Sequence, residues 1–527
     1  MTVSRLVTIA VNLLAFAVGV AYLVHPMPYM LWNMYGFVIL LALIGNLVLI
    51  CLGGKNRYLD YCYLTMFMIG MFLILILNTF AASSVQNKTS QSIFALVLYN
   101  VIFLSGAALS GWRVMCDFKE RGSCSEKATP QQQGNSRKIL SWIAVILMCV
   151  FLVIMLLLSY ILLGKSTGTH GFIEVFIPEY GVFWGLLVLA ATVFVVKLKW
   201  RKKGSIVNKI IMAVGIVISA IYFIPLVCVP ITIRNADAAY REAFGDAYLG
   251  DRIAGEELGF MRRPFSLQDY FFGARTADYH VEENVLFYEG TTGKDAGTKL
   301  HFDVYMPLDS SGNGGGNVGG SGIGGKNPTL VRIHGGAWTL GDKGFSNYSA
   351  TNKHFANLGY VVFDIQYGLS DKNPSLASSV VPESIKGDFD IDDMVRHIGI
   401  FTTYLADHAD EYGADMDSVF ITGASAGGQL AVATALGITG GKYTDILDPR
   451  LQIRGLIPFY PANSLSAGIG IGGTPDLVDP SALVDANSPP CLIYHGTHDG
   501  IVDPKYASIL RQTYADKGSE PCAVLWM

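Results

Sequence analysis

Charge is what this sequence has least of. Only 15% of its 527 residues are Asp, Glu, Lys or Arg, against about 25% in a soluble globular chain. With 51% hydrophobic residues and a mean hydropathy of +0.39, that shortage excludes a purely soluble protein and a disordered one. Cysteine is sparse too. Eight are scattered along the chain with no Cys/His spacing that suits zinc, so no metal is expected. Cys491 and Cys522 read as buried free thiols in neighbouring strands. Ionisable side chains are missing from the interior of the long apolar runs, which disfavours a proton- or ion-coupled transporter. No nucleic-acid partner is expected.

The net charge of −4 conceals a division. Residues 1–233 hold 17 Lys+Arg and 6 Asp+Glu, a balance of +11; residues 234–527 hold 21 and 36, a balance of −15. The first part, 1–233, reads as a transmembrane domain of seven helices: Leu6–Val24, Leu31–Leu52, Tyr61–Phe80, Ile93–Trp112, Ile139–Leu163, Tyr180–Val196 and Ile210–Ile233. The N-terminus and the loops after helices 2, 4 and 6 carry 15 Lys+Arg, whereas the opposite loops carry only Lys88 and Lys165. The positive-inside rule then places the N-terminus in the cytoplasm and everything after Ile233 outside, in a multi-pass cell-membrane protein. Asn12, Asn46, Asn78 and Asn100 are the main polar interruptions and suit hydrogen bonds between helices. Pro225 and Pro230 predict a kink in the last helix.

Residues 234–277 read as a polar connector, helical over Ala236–Phe244 and Phe265–Phe272. From 278 to 527 short β-rich runs alternate with helical stretches, the pattern of an α/β domain with a mostly parallel sheet. Candidate strands are Glu283–Tyr288, Leu300–Tyr305, Thr329–Ile333, Tyr360–Ile365, Ser418–Thr422, Gly455–Phe459, Cys491–Tyr494 and Ala523–Trp526. Candidate helices are Phe345–Leu358, Asp390–Tyr412, Ala426–Gly437 and Pro504–Lys517. The glycine-rich stretch 310–325 is a surface loop by composition and lacks the spacing of a phosphate loop. Asn87-Lys-Thr and Asn347-Tyr-Ser fit the glycosylation sequon, and both fall outside on this topology.

Three motifs carry chemistry. Gly423-Ala-Ser425-Ala-Gly427 follows the strand ending at Thr422 and opens a helix, so its serine stands on a sharp turn with the hydroxyl exposed. His334-Gly335-Gly336-Ala337-Trp338 follows the strand Thr329–Ile333. Its backbone N–H groups, with that of Ala426, suit an oxyanion, and His334 orders this loop rather than acting as a base. His495-Gly-Thr-His498-Asp499 ends another strand and places Asp499 to orient a histidine that takes the Ser425 proton, with Asp503 as the runner-up acid.

From about Glu283 onward the chain resembles the α/β-hydrolase esterases, near the bifunctional feruloyl and acetyl-xylan esterases and the hormone-sensitive-lipase-like carboxylesterases. The matching pieces are HGGAW at 334–338, YVVFDIQYGLS at 360–370, DFDIDDMVRHI at 388–398, GASAGGQLA at 423–431, IPFYP at 457–461 and HGTHDGIV at 495–502. The resemblance implies a serine carboxylester hydrolase with Ser425 as nucleophile, Asp499 as acid, and Gly335, Gly336 and Ala426 as the oxyanion hole. It implies no cofactor. Substrates would be esters, among them lipids or acylated carbohydrates, reached beside the bilayer. The Gln366-Tyr367-Gly368 stretch departs from the Asn-Tyr-Arg of many relatives.

In these relatives the catalytic histidine follows the last strand by a few residues, a position past Met527. The chain therefore reads as a fragment truncated at its C-terminus. An impaired but complete enzyme and an unusual histidine are the alternatives. The chain as written is expected to be nearly inactive beside a C-terminally extended one. The competing function is a catalytically impaired hydrolase-fold ectodomain that binds or senses a ligand.

Overall fold

A computed structural model describes residues 2–24, 30–52, 57–85, 89–122, 135–164, 177–199, 206–245, 265–272, 279–308, 326–344, 348–372, 381–519 and 521–527. The glycine-rich stretch 310–325 and the sequon asparagines Asn87 and Asn347 lie outside the described residues. The chain forms two compact units. One comprises residues 1–81, 88–229 and 263–275, and the other comprises 82–87, 230–262 and 276–527.

The first unit is helical. Its long helices are Thr2–Val24, Met30–Leu52, Arg57–Ser83, Thr89–Gly122, Asn135–Leu163, Gly181–Lys199 and the first part of Ile206–Phe244. Seven helices are long and apolar enough to cross a membrane, matching the seven sequence runs. Asn12 and Asn46 exchange reciprocal amide hydrogen bonds of 2.8 Å, joining the first two helices. The glycines of the sixth helix allow close approach. A Cβ on Gly181 would stand 2.5 Å from the Tyr222 carbonyl oxygen, and one on Gly185 would stand 2.6 Å from the Phe223 ring.

Two expectations change. Ala236–Phe244 is not a separate element, because Ile206–Phe244 runs as one helix of 39 residues through Pro225 and Pro230. Residues 236–243 are mostly Ala, Arg and Glu, good helix formers, Asp237 and Arg241 pair at 3.0 Å one turn apart, and Gly245 then ends the helix at φ 74°. The 234–277 connector is also divided between the units. The short helix Leu267–Phe272 is buried within the helical unit, where Asn78 donates to the Phe271 carbonyl at 2.7 Å and Phe272 stacks on Tyr22 and Tyr35. Its apolar and aromatic residues outweigh the polar average of the connector.

The second unit is built on an eight-stranded sheet. The strands are β1 Tyr279–Glu289, β2 Lys299–Pro307, β3 Asn327–Ile333, β4 Val361–Ile365, β7 Ala414–Ala424, β8 Ile453–Phe459, β9 Cys491–His495 and β10 Cys522–Trp526, with β5 Leu369–Ser370 and β6 Lys386–Gly387 forming a two-residue pair apart from it. The order is β1-β2-β4-β3-β7-β8-β9-β10. Pairing is antiparallel at β1-β2 and β2-β4 and parallel from β4 to β10. All eight candidate strands are present. β3 and β4 are buried on both faces, as expected where both sides of a parallel sheet are covered. The four candidate helices appear as Tyr348–Asn357, Ile391–Tyr412, Ala426–Thr439 and Lys505–Asp516. Ile391–Tyr412 starts at an Asp390–Asp393 capping box and ends at Gly413, whose φ is 63°. Cys491 and Cys522 are paired across β9 and β10, buried and unbridged.

One buried row crosses the sheet. Asp303 of β2, Asp364 of β4 and Arg332 of β3 lie in register. Lys343 neutralises Asp303 at 2.8 Å. Asp364 accepts hydrogen bonds of 2.8 Å from Gly344 N–H and the Asn352 amide. Burial nevertheless pushes the Asp364 carboxyl up to about 6, against the opposing pull of Arg332. A raised folded-state value means that the folded chain holds the proton more tightly than the unfolded one. The associated stability is full below pH 4 and is lost as pH rises through 6. Asp364→Asn removes this dependence. Its stability relative to wild type is expected to grow by about 3 kcal/mol between pH 4 and pH 7, as measured by denaturation midpoints at both pH values. A constant difference would refute the assignment.

Candidate active site

Ser425 stands between β7 and the helix Ala426–Thr439, at the carboxyl end of the strand. Its φ of 55° and ψ of −121° are disfavoured for any residue with a Cβ. The surroundings impose the turn. A Cβ on Gly427 would stand 2.3 Å from the carbonyl oxygens of Ile333 and His334, so the first turn of the helix admits no side chain there. The Ser425 N–H donates to the Phe459 carbonyl at 3.0 Å, and the Ser425 carbonyl accepts from Gln429 and Ala462 N–H at 3.0 and 3.1 Å. The backbone is thus held on both sides, and the half-buried side chain projects at the sheet edge. Ala426 opens the helix, so its N–H has no acceptor within the helix.

The sheet order decides what flanks this serine. β3 lies on one side of β7, and its carboxyl end continues into His334-Gly335-Gly336-Ala337-Trp338. A Cβ on Gly335 would stand 2.6 Å from the Ala424 carbonyl oxygen and 3.4 Å from the Ser425 Cβ, so this backbone packs directly on the Ser425 turn. Gly336, Ala337 and Trp338 continue at φ 130°, 50° and 59°, a coil that turns the loop back on itself. Trp338 Nε1 donates to Gln429 Oε1 at 2.9 Å, tying the loop to the serine's own helix. His334 is fully buried, and that burial holds its imidazole below the ordinary value, so it is neutral. Its Nδ1–H donates to the Gly335 carbonyl at 2.9 Å.

On the other side, β8 separates β7 from β9, and Asp499 lies in the loop after β9. Asp499 Oδ1 accepts from the Ile501 and Val502 N–H groups, each at 2.9 Å. Its Oδ2 is 3.7 Å from His495 Nε2, too far for a hydrogen bond. Asp503 Oδ1 instead accepts from Lys505 N–H at 3.0 Å, at the start of the last helix.

The BD-FAE family matches residues 321–460, which contain both the His334–Trp338 loop and the Ser425 turn. Over 204 residues the chain is 28% identical to the probable carboxylic ester hydrolase LipM of Mycobacterium tuberculosis, covering 34% of this chain and 43% of that protein. Over 221 residues it is 24% identical to esterase LipQ of the same organism, covering 36% and 47%. The second unit is thus similar to α/β-hydrolase esterases over the stretch that holds both motifs. The chain spans less than half the length of each of these two relatives. Among solved structures, the apo form of Thermogutta terrifontis esterase 2 is 19% identical with a TM-score of 0.36, over 48% of this chain and 84% of that one.

The hydrolase domain has eight histidines, and the described structure engages the buried ones elsewhere. His495 Nε2 bonds the Val502 carbonyl at 2.9 Å, and His397 lies between Gly368 and Asp295. The exposed His498 turns to Thr497 at 3.0 Å, and His408 bonds its own helix at Tyr404. Among the described residues, none hydrogen-bonds the Ser425 hydroxyl. Two further contributors have no motif of their own in the sequence. Tyr367 stacks on His334 with ring centres 4.5 Å apart and donates from its hydroxyl to the His334 carbonyl at 2.9 Å. Gln429 holds Trp338 and also donates to the Leu477 carbonyl. Both stand within matched pieces of sequence, but only their partners reveal the role.

Proposed function

We propose that this chain is a membrane-bound serine carboxylester hydrolase whose hydrolase domain lies outside the cytoplasm. Ser425 is the nucleophile, the N–H groups of Gly335, Gly336 and Ala426 receive the oxyanion, and Asp499 orients the imidazole that takes the Ser425 proton. The substrates are esters of the lipid or acylated-carbohydrate class. The observation that carries this reading is the strained Ser425 turn with the Gly335 backbone packed on it. A strained serine beside glycine-rich backbone is an arrangement suited to nucleophilic attack and oxyanion binding. The orientation rests on the Lys/Arg bias of 15 against 2.

A second reading has its own support. With no described histidine bonded to Ser425, the same fold suits a binding or sensing ectodomain. A membrane-impermeant fluorophosphonate probe separates the two, because phosphonylation requires an activated serine. Added to intact cells expressing the full chain, it is expected to label one site, mapped by peptide sequencing to Ser425. Absence of labelling both in intact cells and in folded purified protein rejects the hydrolase. Labelling only after lysis rejects the orientation.

A further inference from the structure

We propose that His397 is a positioning residue for the oxyanion loop, working through the backbone of Gly368. This inference rests on the reading of Ser425 as an esterase nucleophile.

Gly368 lies three residues past the end of β4. Here no side chain fits. A Cβ on Gly368 would stand 2.6 Å from both the His397 Cε1 and the Phe389 ring. His397 fills the space and is fully buried. Gly368 N–H donates to His397 Nδ1 at 3.1 Å, which leaves the ring proton on Nε2, and Nε2–H donates to Asp295 Oδ1 at 3.1 Å. Burial first and the neighbouring Arg396 second hold this imidazole below its ordinary value, so the neutral tautomer fits both bonds. Asp295 is itself fixed by two Arg396 bonds of 2.7 and 2.8 Å and by the Tyr288 hydroxyl at 2.5 Å. An imidazole with one nitrogen on a carboxylate and the other on a backbone N–H can take only one orientation.

The segment that His397 pins is the one that holds the oxyanion loop. Tyr367, one residue before Gly368, bonds and stacks on His334 at the start of that loop. Ser370, two residues after, donates its N–H to the Trp338 carbonyl at its end at 2.8 Å. Both ends of His334–Trp338 therefore hang on residues 367–370, and Asp295–His397 fixes the middle of that segment. The missing side chain at Gly368 makes room for this brace.

The test uses the full chain with two variants. His397→Asn keeps an acceptor near Nδ1 but does not reach Asp295. His397→Gln reaches Asp295 but offers Gly368 no acceptor. Each loses one of two bonds, so similar falls in unfolding midpoint are expected. Hydrogen exchange over residues 334–340 is expected to rise about tenfold or more in the Gln variant and to stay within about threefold in the Asn variant. Fluorophosphonate labelling of Ser425 is expected to fall about tenfold or more in Gln only, in line with the loss of an oxyanion donor. If the two variants behave alike, or exchange follows the midpoint alone, the brace is refuted. Wild-type protein that never labels counts against the esterase reading, while the exchange measurement still decides the brace.

Discussion

Ser425→Gly is expected to abolish fluorophosphonate labelling and ester turnover while making the chain more stable. The serine occupies φ 55° and ψ −121°, a region that costs a residue with a Cβ about 1–3 kcal/mol. Glycine enters it freely, at an offsetting cost of roughly 0.5–1 kcal/mol in unfolded-chain entropy, so the net gain is about 1 kcal/mol. Both losses follow from removal of the hydroxyl that the probe phosphonylates and that an ester would acylate. Ser425→Ala is the control. It loses the hydroxyl but keeps the strain, so it should match glycine in activity and wild type in stability. Denaturation midpoints for the three proteins decide the point. A glycine variant no more stable than alanine would show that the turn is unstrained. Gly423 and Gly427 do not permit the same experiment, since a Cβ on either would stand about 2.2–2.3 Å from backbone carbonyl oxygens.

Much of this site could be read from the sequence because its determinants are local. A strand, a small-residue turn and a helix in succession place Ser425, and Gly335 follows directly from the end of β3. The neighbours across the sheet could not be read in the same way. Strand order β3-β7-β8-β9 puts the His334–Trp338 loop and Asp499 on opposite sides of Ser425, and no periodicity encodes that order. Tyr367, Gln429 and His397 act on residues 33, 91 and 29 positions away, at separations where sequence spacing says nothing. The seven apolar helices follow directly from run length. The burial of Leu267–Phe272 does not: the sequence shows a helix there, but six residues are too few for a face period that would reveal what it packs against.

Asp60→Ala is expected to destabilise the helical unit by about 3–5 kcal/mol. Asp60 stands just before the apolar run of the third helix, and a count of loop charges treats it and its partners as solvated. The structure turns them inward. Asp60 is fully buried and pairs with Arg113 of the fourth helix and, at 2.6 Å, with Lys197 of the sixth; their side chains are only 7% and 11% exposed. Those exposures decide the magnitude, since a solvated pair is worth only about 0–1 kcal/mol. Arg113 also donates to the Leu49 carbonyl at 2.9 Å, and Arg5 bonds the Arg113 carbonyl at 3.1 Å and pairs with Asp117. Five helices meet in this layer of three cations and two carboxylates. Removing Asp60 leaves two buried cations without their shared anion, which costs more than the pair gained. Asp60→Ala combined with Lys197→Met, which leaves one uncompensated cation rather than two, should recover part of the loss. The measurement is the helical unfolding midpoint of the solubilised chain, followed at 222 nm. A single variant within about 0.5 kcal/mol of wild type would mean that water reaches the layer and that the pairs behave as surface ones.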